Sequence, residues 1–209
     1  GIRDVAVTGV QTCALPISHS LREFRATYAS VHIELQEATT DVQINLLSEN
    51  KLDLVILIPP LPDKLKTELR YQPIFSETLM LAITEGSPLS HYKGKIPLKA
   101  CADQPLIIFP RRIAPAFHDV ILGCFRDAGL TPHIGQEAIQ MQTIVGLVSA
   151  GMGNALVPQS VSNLKRPGVE YRSFKEASPR IEIGLAWRRD NDSPVLTAFI
   201  NLMRKTHGC

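Results

Sequence analysis

Apolar residues recur along this chain with two different spacings, and the switches between them mark out its elements. Leu21, Phe24 and Tyr28 fall one helical turn apart and predict an amphipathic helix over residues 18–30. Val31-His32-Ile33-Glu34-Leu35 alternates apolar with polar, as a strand exposed on one side does. Thr39-Thr40-Asp41 is a helix cap ahead of Val42, Ile44, Leu46 and Leu47. Residues 52–58 then form a buried apolar strand that Pro59-Pro60 stops. Strands and helices alternating at this spacing predict an α/β protein with a parallel, doubly wound sheet.

The pattern then restarts. Strands are expected at 79–83 and 106–109, followed by a helix with Phe117, Val120, Ile121, Cys124, Phe125 and Ala128 on its apolar face, ending at Gly129. In the stretch 135–158, Gln140, Gln142 and Thr143 are placed to bond the free N–H groups that open a helix. Ile144, Val145, Leu147 and Val148 bury one side of that helix, Gly151 supplies a left-handed stop, and Ala155-Leu156-Val157-Pro158 is a short buried strand. Strands at 169–174 and 181–187 precede a closing helix over 194–205, with Ser193 as its cap.

Composition narrows the class. Across 209 residues, 44% are hydrophobic and 20% charged, ordinary values for a globular protein with room for one large domain or two lobes. The net charge is +2 and the 22 Lys and Arg residues are scattered, whereas a free-standing DNA-binding domain concentrates them in a basic stripe. Cys13, Cys101, Cys124 and Cys209 share no metal or redox spacing and read as reduced thiols of a cytoplasmic protein, Cys124 as core. No apolar run is long enough to span a membrane, and the opening residues lack the basic start and apolar core of a secretory signal.

Catalytic arrangements are not found. His19, His32, His91, His118, His133 and His207 have no ligand spacing, and Pro-Gln-Ser-Val-Ser at 158–162 is not a nucleophile turn. Gly151-Met152-Gly153 lacks the continuation of a dinucleotide loop, and Asp53 reads as hydrogen-bonded structure. No enzyme activity, metal or cofactor is expected.

The order of elements in 135–158 resembles the effector-binding domain of LysR-type transcriptional regulators. Further residues carry the resemblance: Ile33-Glu34-Leu35-Gln36-Glu37, Thr39, Gln43, Leu52-Asp53-Leu54, Pro88-Leu89, Phe109-Pro110-Arg111-Arg112 and Ala186-Trp187-Arg188-Arg189. It implies a two-lobed, periplasmic-binding-protein-like (type 2) fold, each lobe a mostly parallel sheet flanked by helices. Lobe I would be 1–73 with 178–209 and lobe II 74–177, with crossovers near 72–77 and 171–177 as the hinge. Asn50 stands where the family usually has Gly, and Asn tolerates the left-handed turn. Asn154 replaces a usually apolar residue. Residues 1–17 match the family's opening strand poorly, and 10–17 read as foreign to it, in the manner of a translated sequencing adapter. The winged helix-turn-helix that opens a full regulator is also expected to lie outside this chain.

Ligands of open α/β sheets sit beyond the carboxyl ends of the strands. In lobe I this selects Thr39 and Thr40 at a helix start suited to a carboxylate, with Thr8 and Gly9 if the opening strand is genuine. Plain capping is the alternative for the threonines, and both roles can hold together. In lobe II it selects Pro110, Arg111 and Arg112, either arginine able to fork onto an anion, with Pro115 and Phe117 as an apolar wall. Gln142, Thr143 and Ile144 open the next helix. Phe117 serves equally as core, and the arginines equally as solvated loop residues.

The resemblance implies a small-molecule effector, an anion that is aromatic or another carboxylate, bound between the lobes. It further implies a homodimer or tetramer in which helix 18–30 packs on helix 117–128 of another copy, and DNA contact only through the missing N-terminal domain. Two alternatives use the same scaffold: a transporter's solute-binding protein, or an enzyme such as a prephenate dehydratase or porphobilinogen deaminase.

Overall fold

A computed structural model describes residues 5–9 and 14–207, with side chains from Ile17 to His207. The elements are β1 (Val5–Gly9), α1 (Ala14–Thr27), β2 (Ile33–Glu37), α2 (Thr40–Ser48), β3 (Leu54–Leu57), β4 (Leu69–Thr84), α3 (Leu98–Ala102) and β5 (Leu106–Ile108). They continue as α4 (Pro115–Asp127), β6 (Ile134–Glu137), α5 (Met141–Ser149), β7 (Ala155–Pro158), β8 (Val169–Arg172), β9 (Arg180–Arg188) and α6 (Pro194–His207). They form two compact units, Gly1–Ser76 with Glu182–Cys209, and Glu77–Ile181.

In the first unit β1 pairs in parallel with β2 and with β3, which places α1 and α2 as crossover helices. β3 then pairs antiparallel with β9, so the sheet is parallel only in its β2-β1-β3 part. β1 lies in the segment 1–17, and it takes the central place of that parallel trio. Residues 10–13 lie outside the described residues, and α1 starts at Ala14, ahead of the predicted 18.

The α1 helix docks on α6 through Phe24, fully buried, whose ring meets Phe199 edge-on at 5.1 Å. Tyr28, read as part of the helix, falls beyond it, 40% exposed with its ring against Phe24. The Arg188 guanidinium donates to the carbonyls of Leu47 and Leu52 at 3.0 and 2.9 Å, tying β9 to the end of α2.

In the second unit β4 is flanked by two antiparallel partners, β7 (Leu81 opposite Leu156) and β8 (Leu81 opposite Arg172). Among the named strands described there, β5–β6 is the parallel pair, with α4 between its strands in sequence, and isolated parallel bridges join Ile96 to Phe174 and Leu106 to Asn154. Asn154 links β5 to the start of β7: its N–H donates to the Pro105 carbonyl at 2.9 Å and its carbonyl accepts from Ile107 at 2.8 Å. The chain leaves the first unit at Ser76–Glu77 and returns at Ile181–Glu182. Tyr171 and Arg172, expected in a crossover, are paired in β8 instead.

The helices end as their sequences dictate. At the ends of α2, α4 and α5, Asn50, Gly129 and Gly151 take φ of 59°, 70° and 77°. In each case the next residue reaches back five: Lys51 to Leu46, Leu130 to Phe125, Met152 to Leu147. This double-bonded stop satisfies carbonyls the helix leaves open. Among the described residues, no helix is long and apolar enough to cross a membrane.

Candidate effector-binding residues

In the first unit the parallel register sets the geometry. Thr8 lies opposite Gln36 and Val55, and Gly9 opposite Glu37 and Ile56, so the ends of β1, β2 and β3 share one edge of the sheet. Thr39 and Thr40 follow β2 at that same edge and are half-buried. The side chain of Thr8 lies outside the described residues. Thr39 occupies the cap position of α2 but does not cap it: its hydroxyl donates to the Asp41 carboxylate and makes no cap bond to the first turn. This corrects the expected threonine cap, because a charged acceptor two residues on competes better for the hydroxyl than a backbone amide.

Gln43 lies under this turn. It is fully buried, donates from Nε2 to the Ala38 carbonyl at 3.0 Å, and its Oε1 has no hydrogen-bond partner among the described residues. It had not been selected as a site residue, although its position on the Gln43-Ile44-Leu47 face marks a polar group placed among core residues.

In the second unit Phe109–Arg112 follows β5, and the Ala138 N–H donates to the Ile108 carbonyl at 3.1 Å, bringing the end of β6 alongside. The start of α5 therefore lies beyond the same strand ends as Arg111 and Arg112. Gln140 holds the cap position of α5 without a side-chain cap bond, and Gln142 and Thr143 are exposed in the first turn.

Several selected residues do other work. The Arg111 fork is already occupied, with Nε and a terminal nitrogen each 2.8 Å from an oxygen of Asp119. That pair holds the Asp119 carboxyl down to about 2 and raises Arg111. Arg112 is exposed and forms no hydrogen bond or ion pair among the described residues. Phe117 is 5% exposed, its ring 5.7 Å from Phe109, and Ile144 is 2% exposed, so both belong to the core. Pro110 is buried too, while Pro115 is exposed at the first position of α4. Ile144, named with them as a candidate, therefore leaves the site, whereas Gln142 and Thr143 in the same turn are exposed.

Asp53 accepts from Asn191 at 3.0 Å, a structural bond. Burial pushes the thiols of Cys101 and Cys124 up to about 12 and about 11, leaving both protonated at neutral pH. Asn154 is 2% exposed and donates to the Cys101 carbonyl at 3.3 Å.

Comparison with known proteins gives the family and the fold. Residues 5–208 match the LysR substrate binding domain family. The HTH-type transcriptional regulator IlvR of Caulobacter vibrioides is 41% identical over 183 residues, 88% of this chain and 60% of that protein. The chain spans about 60% of the length of such relatives. Two solved structures share the fold: the effector binding domain of QuiR in complex with shikimate (TM-score 0.87, 21% identity, 99% of this chain and 98% of that one), and the BenM effector binding domain with its effector benzoate (TM-score 0.82, 22% identity, 98% and 92%). The fold class is thus α/β, periplasmic-binding-protein-like of type 2, and the chain belongs to the LysR substrate-binding domain family.

Proposed function

We propose that this chain is the ligand-sensing part of a LysR-type transcriptional regulator, and that its effector is a small carboxylate. One observation carries the reading. Both α2 and α5 begin at the carboxyl edge of parallel strands, and both begin without a side-chain cap. A helix N-terminus favours an anion, through its first-turn N–H donors and through the helix dipole. Thr39 and Thr40 border the first start. Gln142, Thr143 and Arg112 border the second, with Pro115 as an apolar neighbour. The names of two structural relatives carry benzoate and shikimate, both carboxylates.

In this reading lobe I is residues 1–73 with 178–209 and lobe II is 74–177. One effector engages both helix starts, and its binding shifts the population of lobe arrangements. A DNA-binding domain outside this chain reads that shift, in a cytoplasmic homodimer or tetramer that carries out no turnover and binds no membrane.

The test is thermal unfolding with benzoate, shikimate and related carboxylates, alongside Thr40→Ala, Thr143→Ala and Arg112→Ala. A ligand at a hundredfold excess over its dissociation constant stabilises the folded state by about 2.7 kcal/mol. The expected result is a raised midpoint that these three variants diminish and Arg111→Ala leaves in place. A rise that all variants share equally would sink the site assignment.

A further inference from the structure

A cavity of about 620 Å³ lies wholly within the first unit, with no residue of α2 in its lining: it is formed by residues 72–76 of β4, Glu182 of β9, and Asn201, Arg204 and Lys205 of α6. Its size is that of a small-molecule site, for which about 300–1,000 Å³ is usual. Asn201, Arg204 and Lys205 stand at i, i+3 and i+4, one exposed stripe of α6, while Leu196, Phe199, Ile200 and Met203 turn to the core. Glu182 is exposed on β9 and accepts a hydrogen bond from the Tyr71 hydroxyl at 3.0 Å.

The charges in this cavity are unmatched. Among the described residues, neither Arg204 nor Lys205 forms an ion pair, and Glu182 has none either, although all three line the same space. Cations in the last turn of α6 complement the helix dipole, which accounts for Arg204 and Lys205 but not for a carboxylate on the opposing strand. Opposite charges held apart across a cavity of this size are complementary to a ligand that carries both. Pro73 and Phe75 offer it an apolar surface, while the Ile74 side chain is buried in the core.

We propose that this cavity is a second small-molecule site, and that it takes a zwitterion of the α-amino-acid type. The ligand's ammonium group donates to Glu182, its carboxylate accepts from Arg204 and Lys205, and its side chain lies along Pro73 and Phe75. Each end then forms a charge-assisted hydrogen bond, stronger than a neutral one. A dicarboxylate is repelled by Glu182 and a diamine by the two cations, so the site selects for the dipole.

The test is an amide-resonance titration of the 209-residue chain with L-leucine, compared with 4-methylpentanoate and 3-methylbutylamine, which each keep one of its two charges. The expected result is saturable shifts at residues 74–76 and 201–205. Both analogues, and the variants Glu182→Gln and Arg204→Gln, should bind at least about tenfold more weakly. The substituted positions are exposed, so an unchanged spectrum elsewhere certifies the fold. No saturable shift at those amides, or an analogue that binds as tightly as leucine, overturns the proposal. Shifts confined to Thr40 and Thr143 overturn it as well, and assign the amino acid to the carboxylate site instead; a failure of benzoate and shikimate to bind leaves this second site unaffected.

Discussion

Gly151 and Gly153 lie two residues apart, both at positive φ, and replacing each by alanine should have very different costs. Gly151 has φ of 77° and nothing within 4 Å of where a Cβ would stand. Gly151→Ala therefore meets only the left-handed backbone penalty, about 1–2 kcal/mol. Gly153 has φ of 151°, and its added Cβ would lie 2.3 Å from the Pro105 carbonyl oxygen and 3.3 Å from the Ile107 side chain. The obstruction is backbone, so relief requires the two segments to separate. Separation breaks the bonds from Asn154 to Pro105 (2.9 Å) and from Ile107 to Asn154 (2.8 Å), the link between β5 and β7. At about 1 kcal/mol per bond, added to a backbone strain of about 1–3 kcal/mol, Gly153→Ala should lose roughly 3–5 kcal/mol. For a chain of this size each kcal/mol lowers Tm by roughly 2–4 °C, so the two variants should differ by several degrees in thermal unfolding. Hydrogen exchange supplies the local readout: the amides of Ile107 and Asn154 should lose protection in Gly153→Ala and keep it in Gly151→Ala. Equal stability losses, or an Asn154 amide still protected in Gly153→Ala, would refute the reasoning.

Other perturbations follow from the same geometry. In Arg111→Ala the Asp119 carboxyl should climb from about 2 toward the ordinary carboxylate range, read by carboxyl resonances against pH. Since its folded pKa is depressed, the pair's contribution is present above the unfolded value and disappears as pH falls through that of the folded state; it is solvent-exposed, so the stability change should be slight. Glu77 behaves oppositely. Burial raises its pKa despite hydrogen bonds from the Ser160 N–H and hydroxyl at 2.7 and 3.1 Å, so its contribution is complete below the unfolded value and lost as pH rises through the raised one. Glu77→Gln keeps an oxygen for Ser160 and should flatten the dependence of urea midpoints on pH across that window. Phe24→Ala empties a fully buried ring site against Phe199 and should cost about 3–5 kcal/mol in urea unfolding, with no change in ligand specificity.

Elements whose apolar residues keep one period along their whole length were legible in the sequence. The helices around Phe117–Phe125 and Ile144–Val148, the strand at 155–158 and the left-handed stops at Asn50, Gly129 and Gly151 were all read from residue type and spacing. Elements whose pattern changes along their length were not. β4 runs for 16 residues, yet only its apolar end at 79–83 announces itself, because Arg70, Gln72, Pro73 and Glu77 interrupt the alternation. β6 was missed because all four of its residues are exposed, which leaves no buried face to set a period. The antiparallel pairing of β3 with β9 joins residues about 130 positions apart, beyond the reach of any local pattern.

The candidate site divides along the same line. That Thr39, Thr40, Gln142 and Thr143 lie at helix starts follows from chain order, since each helix must begin where its strand ends. Which way a side chain turns is decided by what stands beside it. Arg111 and Arg112 are adjacent and chemically identical, but Asp119, one helical turn into α4, takes two of the three nitrogens of the first and leaves the second uncommitted. A carboxylate eight residues downstream is an ordinary feature of a sequence and becomes decisive only once the intervening loop has folded, with the Ile113 and Ala114 N–H groups on the Pro110 carbonyl. Thr39 shows the same dependence at shorter range, its hydroxyl drawn to Asp41 rather than to the helix. In both cases the competing acceptor removes a group that sequence spacing had assigned to the ligand. What remains is the backbone of the helix starts, the side chains of Thr40, Gln142 and Thr143, and Arg112, and these are the groups on which effector binding should depend.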